Sequence, residues 1–417
     1  MLSKESFFEP LTTVFDQFKF KASYGLTGQD QIGDGNDRFY YLSQVTLNSS
    51  DRNVNWGTQL NYNPGGIIVD RYANDEIGWE KSYKLNVGAE MRTVFGLSAN
   101  VEYFTERREN ILLNRIIPNT MGIIPDVKAN LGKAKGKGVD MELNYEKSFN
   151  KDLWITGRGT FTYATSEAVE WEEPDYSETP WLSKVGKSLG QTWGYIAERL
   201  FVDEEEVKNS PTQFGEYMAG DIKYRDVNGD GKISELDKVP IGYPTTPEIN
   251  YGFGLSVGYK GLDASFFFQG SGRQSFWLDL KKITPFLDGD AGENGEDGLL
   301  GQNAVLDVIA NSYWSENNRN PYAFWPRLAN QSVENNNQTS TWFMQDATFL
   351  RLKSVEIGYT VPKNLVKKFK VQNLRFYVSG TNLLCWSKFK LWDPEMAGNG
   401  LGYPVQRVIN VGLNLGF

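Results

Sequence analysis

Apolar and polar residues alternate along much of the chain. Phe18, Phe20, Ala22, Tyr24 and Leu26 are interleaved with Lys19, Lys21, Ser23 and Gly25; Leu85, Val87, Ala89 and Met91 with Lys84, Asn86, Gly88 and Glu90. Leu97, Ala99, Val101 and Tyr103 repeat the pattern, as do Val139, Met141, Leu143 and Tyr145, and Tyr251, Phe253, Leu255, Val257 and Tyr259. The last eleven residues, RVINVGLNLGF from Arg407 to Phe417, set Ile409, Val411, Leu413, Leu415 and Phe417 against small or amide residues. Successive strand side chains point to opposite faces, so this period predicts strands with one apolar wall and one polar or glycine wall. A half-buried strand of a soluble sheet and a barrel stave in lipid both need that pattern.

Spacing separates the two. Further strands are expected at about 153–166, 262–271, 346–360 and 374–384, giving about ten in all. The connections alternate between short ones (Thr93 to Gly96, Ser148 to Asp152, Lys260 to Gly261, Pro362 to Asn373) and long ones near 27–78, 109–135, 167–247, 272–345 and 385–405. An outer-membrane barrel carries tight turns on one rim and long loops on the other, and a soluble sandwich has no physical reason to do so. The pattern predicts an all-β, antiparallel, up-and-down transmembrane barrel of about ten strands, with long extracellular loops and the last strand returning to the short-turn side. Gln191 to Val202 also looks extended but breaks that parity, which assigns it to a long loop. Tyr103, Phe104, Phe161, Tyr163, Tyr251, Tyr259 and Tyr359 lie near strand ends, where interfacial girdles belong; ordinary strand propensity also accounts for aromatics there. No linker divides residues 1–417, and Glu334 to Asn337 reads as a loop tip.

Composition narrows the function. Mean hydropathy is −0.47, and no apolar run approaches the roughly eighteen residues of a spanning helix, a test that strands alternating between lipid and lumen escape. Net charge of −9 argues against nucleic acid. With one cysteine and no histidine, an internal disulfide, histidine-based zinc sites and Ser/His or Cys/His nucleophile pairs have no material, so no enzyme is expected. The N-terminus lacks a signal-peptide pattern, which leaves a cytosolic protein or a fragment as the expectation.

One segment has the spacing of a calcium loop. In DVNGDGKISELD, Asp226, Asn228 and Asp230 supply side-chain oxygens, Gly231 the sharp turn, Lys232 a backbone carbonyl and Asp237 the twelfth position, with Ser234 where a water-mediated ligand sits. Asp in place of the usual bidentate Glu implies weak, extracellular-range affinity; the metal-free alternative is a turn whose Asx side chains bond their own backbone. Trp56, Trp171, Trp181, Trp193, Trp277, Trp314, Trp325, Trp342 and Trp392 all fall in long loops, where they either stack on sugars or pack the loops together. Glu172, Glu173 and Glu204 to Glu206 read as solvated loop charge rather than a glycosidase pair, and Val202 to Lys208 as a helix start with acids near its positive end.

KASYGLTGQDQIG (Lys21 to Gly33), NDEIGWEKSYKLNVGAE (Asn74 to Glu90), KGKGVDMELNYE (Lys135 to Glu146), GDIKYRDVNGDGKISELDKVPIG (Gly220 to Gly242), LRLKSVEIGYTVP (Leu350 to Pro362), LRFYVSGTNLL (Leu374 to Leu384) and the final Phe417 together resemble the C-terminal part of the SusC/RagA family of TonB-dependent transporters of Bacteroidetes outer membranes. The resemblance implies a 22-stranded barrel importing glycans or peptides beneath a SusD-like surface lipoprotein, powered by the TonB complex through an N-terminal part not found in these residues. It further implies that the chain is a truncated barrel, and that Phe417 is the terminal aromatic by which such barrels are recognised for assembly. The competing expectation is a secreted soluble β-protein that binds or cleaves glycans with a calcium-braced loop.

Overall fold

The computed structural model describes residues 3, 5–30, 39–123, 126–286, 303–367 and 371–417; the end of the Lys21 to Gly33 motif lies outside them. Ten long strands form one antiparallel sheet: β1 (Phe15–Gln29), β2 (Glu80–Thr93), β3 (Leu97–Asn114), β4 (Lys128–Ser148), β5 (Leu153–Glu170), β6 (Ile249–Tyr259), β7 (Leu262–Gly272), β8 (Phe349–Thr360), β9 (Asn373–Ser387) and β10 (Val408–Gly416). Each pairs with its neighbours in sequence, a plain meander. β1 and β10 are the two edges, and no pairing joins them among the described residues.

Register converts the alternation into two continuous walls. Phe20, Ala89, Val101, Met141, Phe161 and Tyr251 lie opposite one another in a row, and Val411, Val378, Ile357, Ala264, Val257 and Ile155 form another. The rows of the other face carry Lys21, Gly88, Glu102, Asp140, Thr162 and Asn250. A one-residue slip would exchange the walls, so the pattern fixes the register. Val411 is 81% exposed and Ile409 66%. Apolar side chains exposed across ten strands are a liability in water and the required surface in lipid.

The polar wall is held by charges bridging strands. Lys21 pairs with Glu90 at 2.8 Å and also with Glu102, and Arg375 pairs with Asp263 at 2.5 Å and Glu356 at 2.7 Å. Glycine lets large side chains lie flat against this wall: a Cβ at Gly258 would collide with the Trp154 ring, and one at Gly412 with the Tyr377 ring. Phe104 belongs here too, its ring over Gly138, and so is not an outward girdle residue; it has the opposite strand parity to Tyr103.

The short rim matches expectation. Lys260 and Gly261 take φ of 48° and 87°, the left-handed pair of a tight two-residue hairpin. The connection between β8 and β9 contains a short helix, Lys363–Val366, and its residues 368–370 lie outside the described ones. On the other rim, the loop expected at 109–135 is mostly strand. β3 runs to Asn114 and β4 starts at Lys128, because Arg108 with Glu80 (2.6 Å), Lys133 with Glu170 (2.8 Å) and Lys135 with Glu167 (3.0 Å) zip charged segments in which alternation is invisible. The 21 residues of β4 rise about 3.3 Å each, far more than an apolar band about 25 Å tall, so its loop-side half stands outside the membrane.

An open sheet in hydrocarbon leaves edge N–H and C=O groups unpaired at several kcal/mol each. Expressed without the strands that would cover β1 and β10, the chain is expected to give no heat-modifiable band in outer membranes. A stable, closed, monomeric barrel on semi-native gels would refute the partial-barrel architecture.

Candidate functional site

The long loops form a structured cap. Thr192–Gly194 pairs with Val239–Ile241, Ala197–Leu200 with Ile222–Tyr224, and Ser275–Trp277 with Met344–Asp346, so Gln191 to Val202 is loop structure and not a stave. Tyr195 N–H donates to Thr339 O at 2.9 Å and Thr341 N–H to Tyr195 O at 3.0 Å, which ties the two longest loops together. Tyr195, Leu200, Ile222, Tyr224, Leu278, Ile309, Trp314, Trp325 and Phe343 form their common core. Each such side chain contributes about 1.5–3 kcal/mol on burial, which explains how loops this long hold one shape. Most loop tryptophans serve this packing: Trp314 and Trp325 are buried and Trp277, Trp342 and Trp392 rest against them, whereas Trp56 is exposed.

A polar knot sits beside that core. Asp221 is fully buried; Arg327 Nε lies 2.9 Å from its Oδ1, Asn336 Nδ2 donates to Oδ1 at 2.7 Å, and Met218 N–H donates to Oδ2 at 2.9 Å. Burial pushes the Asp221 carboxyl above the usual carboxylate range despite these partners. Asn335, also fully buried, donates from Nδ2 to Ile222 O at 2.7 Å, accepts from Gln213 Nε2 at 3.1 Å, and its carbonyl accepts from Tyr224 Oη at 2.7 Å. Residues 334–337 are therefore not a loop tip. Their amides satisfy backbone groups of the other loop, which an amide-rich tract in sequence does not distinguish from a solvated turn.

Glu172, Glu173, Glu204 and Glu206 are structural acceptors rather than free charge, and Glu205 is exposed as expected. Asp203 caps the helix Glu204–Lys208 by accepting from Glu206 N–H at 2.8 Å, the helix start expected there. Glu206 takes Arg199 through both oxygens (2.9 and 2.5 Å) and Lys223 at 2.9 Å; burial opposes its ionisation, but Lys223, the Val202 N–H and Arg199 hold its carboxyl below the usual range. Glu172 accepts from Arg115 Nε at 2.9 Å and Glu173 from Lys184 N–H at 2.9 Å.

The Asp226 to Asp237 segment is a loop closed on its own backbone. Asp226 Oδ1 accepts from Gly229 N–H (2.7 Å) and Oδ2 from Gly231 N–H (2.8 Å), Asn228 Oδ1 from Asp230 N–H (3.0 Å), and Asp230 Oδ1 from Lys232 N–H (2.8 Å). Asp237 is fully buried at the base, with Oδ1 accepting from Val227 (2.8 Å) and Oδ2 from Ser234 (2.8 Å), while Ser234 caps the turn Glu235–Asp237. Lone pairs remain on Asp226, Asn228 and Asp230, but Asp237 is committed to the backbone. Among the described residues no group of three acidic side chains converges as an ion would require.

Sequence reasoning also missed Arg351, almost fully buried at the loop end of β8. It binds both Asp393 oxygens at 2.5 and 2.6 Å and Glu395 at 2.8 Å, clamping the last long loop to the wall. The available signal is a shift of apolar parity, from Leu350 and Leu352 to Val355, Ile357 and Tyr359, which marks the β-bulge at Leu352/Ser354 beside it.

Comparison with known proteins gives the chain's relatives. No family model matches the chain. The whole chain aligns with TonB-dependent receptors P26 (28% identical) and P3 (25%) of Formosa agariphila, covering 41% of each, and with TonB-dependent receptor SusC of Bacteroides thetaiotaomicron (22%, covering 39%). The solved RagAB peptide transporter superposes on 99% of the chain and 41% of its own, with a TM-score of 0.67 at 23% identity. Over its full length the chain is similar to part of TonB-dependent receptors of the SusC kind, and it shares the barrel fold of the RagAB transporter. It spans about two fifths of the length of the curated relatives it matches. The chain is an outer-membrane component, and these relatives are receptors and transporters, not enzymes.

Asn335→Ala is expected to remove one of the two acceptors of Gln213 Nε2 and one of the two donors to Ile222 O, costing about 1–3 kcal/mol. The complete barrel should stay membrane-inserted while limited proteolysis cuts 171–248 and 303–348 faster. Unchanged cleavage would show that the amide does not hold the cap.

Proposed function

We propose that the chain forms wall and extracellular cap of a TonB-dependent outer-membrane importer of glycans or peptides, working with a SusD-like surface lipoprotein and energised by the TonB complex through parts of the protein beyond these residues. The observation that carries this reading is the combination of an apolar outer wall, a charged inner wall and a packed cap on one rim only, along a chain that aligns over its full length with receptors of that kind. A soluble glycan-binding protein has no use for a continuous apolar outer face. The cap supplies the surface on which a lipoprotein rests, and exposed rings such as Trp56 and Tyr403 offer stacking faces for sugars. In a strain lacking the complete receptor, the intact gene should restore uptake of its oligomeric substrate, and deleting 192–241 should abolish uptake while the barrel still inserts. Uptake that persists without TonB would sink the proposal.

Calcium at the Asp226 loop is a second, separate proposal. Asp226, Asn228, Asp230 and the Lys232 carbonyl would hold it weakly, as an addition to a loop that already closes without metal. Calorimetric titration of calcium into the complete receptor should give heat that Asp230→Ala removes; identical heats would eliminate the metal.

A further inference from the structure

The outer wall just above a row of tyrosines carries a cavity on the face turned away from the polar wall. Tyr103, Val139 and Tyr163 form one outward row; Thr105, Lys137 and Thr165 form the next toward the loops, and Arg107, Lys135 and Glu167 the one after. At about 3.3 Å per residue, Lys137 stands about 7 Å above the tyrosines and Lys135 about 13 Å, the depth of lipid head groups. Two loops complete the site. Lys187 is brought in where its carbonyl accepts from Ala168 N–H at 2.9 Å, and the Arg273 guanidinium lies over Tyr163 and Tyr243 at 6.0 and 5.4 Å. Thr105, Lys135, Lys137, Glu167, Lys187 and Arg273 line a cavity of about 340 Å³.

Its charge does not balance. Glu167 is paired with Lys135 at 3.0 Å and Glu248 with Arg273 at 2.6 Å, whereas Lys137 and Lys187 have no ion pair among the described residues. Below them the outward face continues as Met141 and Phe161. Two unmatched cations above an apolar slope suit an amphiphile with a phosphorylated head and acyl chains, and a free phosphate would leave the slope unused.

We propose that this cavity binds a phosphorylated lipid of the outer leaflet, its phosphate on Lys137 and Lys187 and its acyl chains along Met141 and Phe161. The site depends on the membrane placement of the wall and not on what the importer carries. Native mass spectrometry of the complete barrel in detergent tests it, with bisphosphorylated lipid A, its dephosphorylated form and inorganic phosphate as probes. The phosphorylated lipid should stay bound, and the Lys137→Gln, Lys187→Gln double variant should weaken it about thirtyfold, two surface cations' worth. Lys363→Gln, on the opposite rim, should bind like the parent. Equal retention of the dephosphorylated lipid, or an unaffected double variant, would overturn the proposal; displacement by millimolar inorganic phosphate would make this a free-phosphate site and overturn the lipid assignment. If the double variant fails to insert, the comparison of the two lipids on the unsubstituted protein decides.

Discussion

Backbone hydrogen bonding in a solvent that offers none is the constraint on which everything else here depends. Inside hydrocarbon every N–H and C=O must find a partner within the protein, so a strand is stable only between two others. The nine ladders satisfy this internally, and the alternation of side chains follows as a secondary requirement, one wall matching lipid and the other matching water. The same constraint makes β1 and β10 unfinished surfaces. It also explains why the cap is allowed irregular backbone: it stands beyond the bilayer, where Asn335, Gln213 and Asp221 supply the partners that a ladder would otherwise give.

The barrel was legible in the sequence because lipid imposes a strict period. Leu85 to Met91 or Tyr251 to Tyr259 can be assigned residue by residue, and so can the faces they line. Legibility failed where that pressure stops. The charged ends of β3 and β4 look like loop, since lysine and glutamate on both faces carry no period, and pairing between Lys135 and Glu167 becomes visible only once the strands are side by side. Phe104 was misplaced for a related reason: propensity puts aromatics near a strand end without saying which wall they face, and the partner Gly138 that accommodates the ring lies 34 positions away.

The candidate site was less readable than the wall. Spacing picked out Asp226 to Asp237, yet the same spacing serves a self-bonded turn, and only geometry shows Asp237 withdrawn to the base. Buried polar groups such as Asn335 and Arg351 have no local signature at all, because their partners come from other loops. The charges that matter most in the cap are those whose surroundings are built by distant segments.

The knot between Asn335 and Ile222 joins residues 113 positions apart. Contacts of such long range form slowly, since the intervening chain must be ordered before they are rewarded. Neither half of the cap can settle until β6, β7 and β8 have brought the ends of both loops together. The shape of the cap thus depends on the wall beneath it, which sets where both loops begin and end.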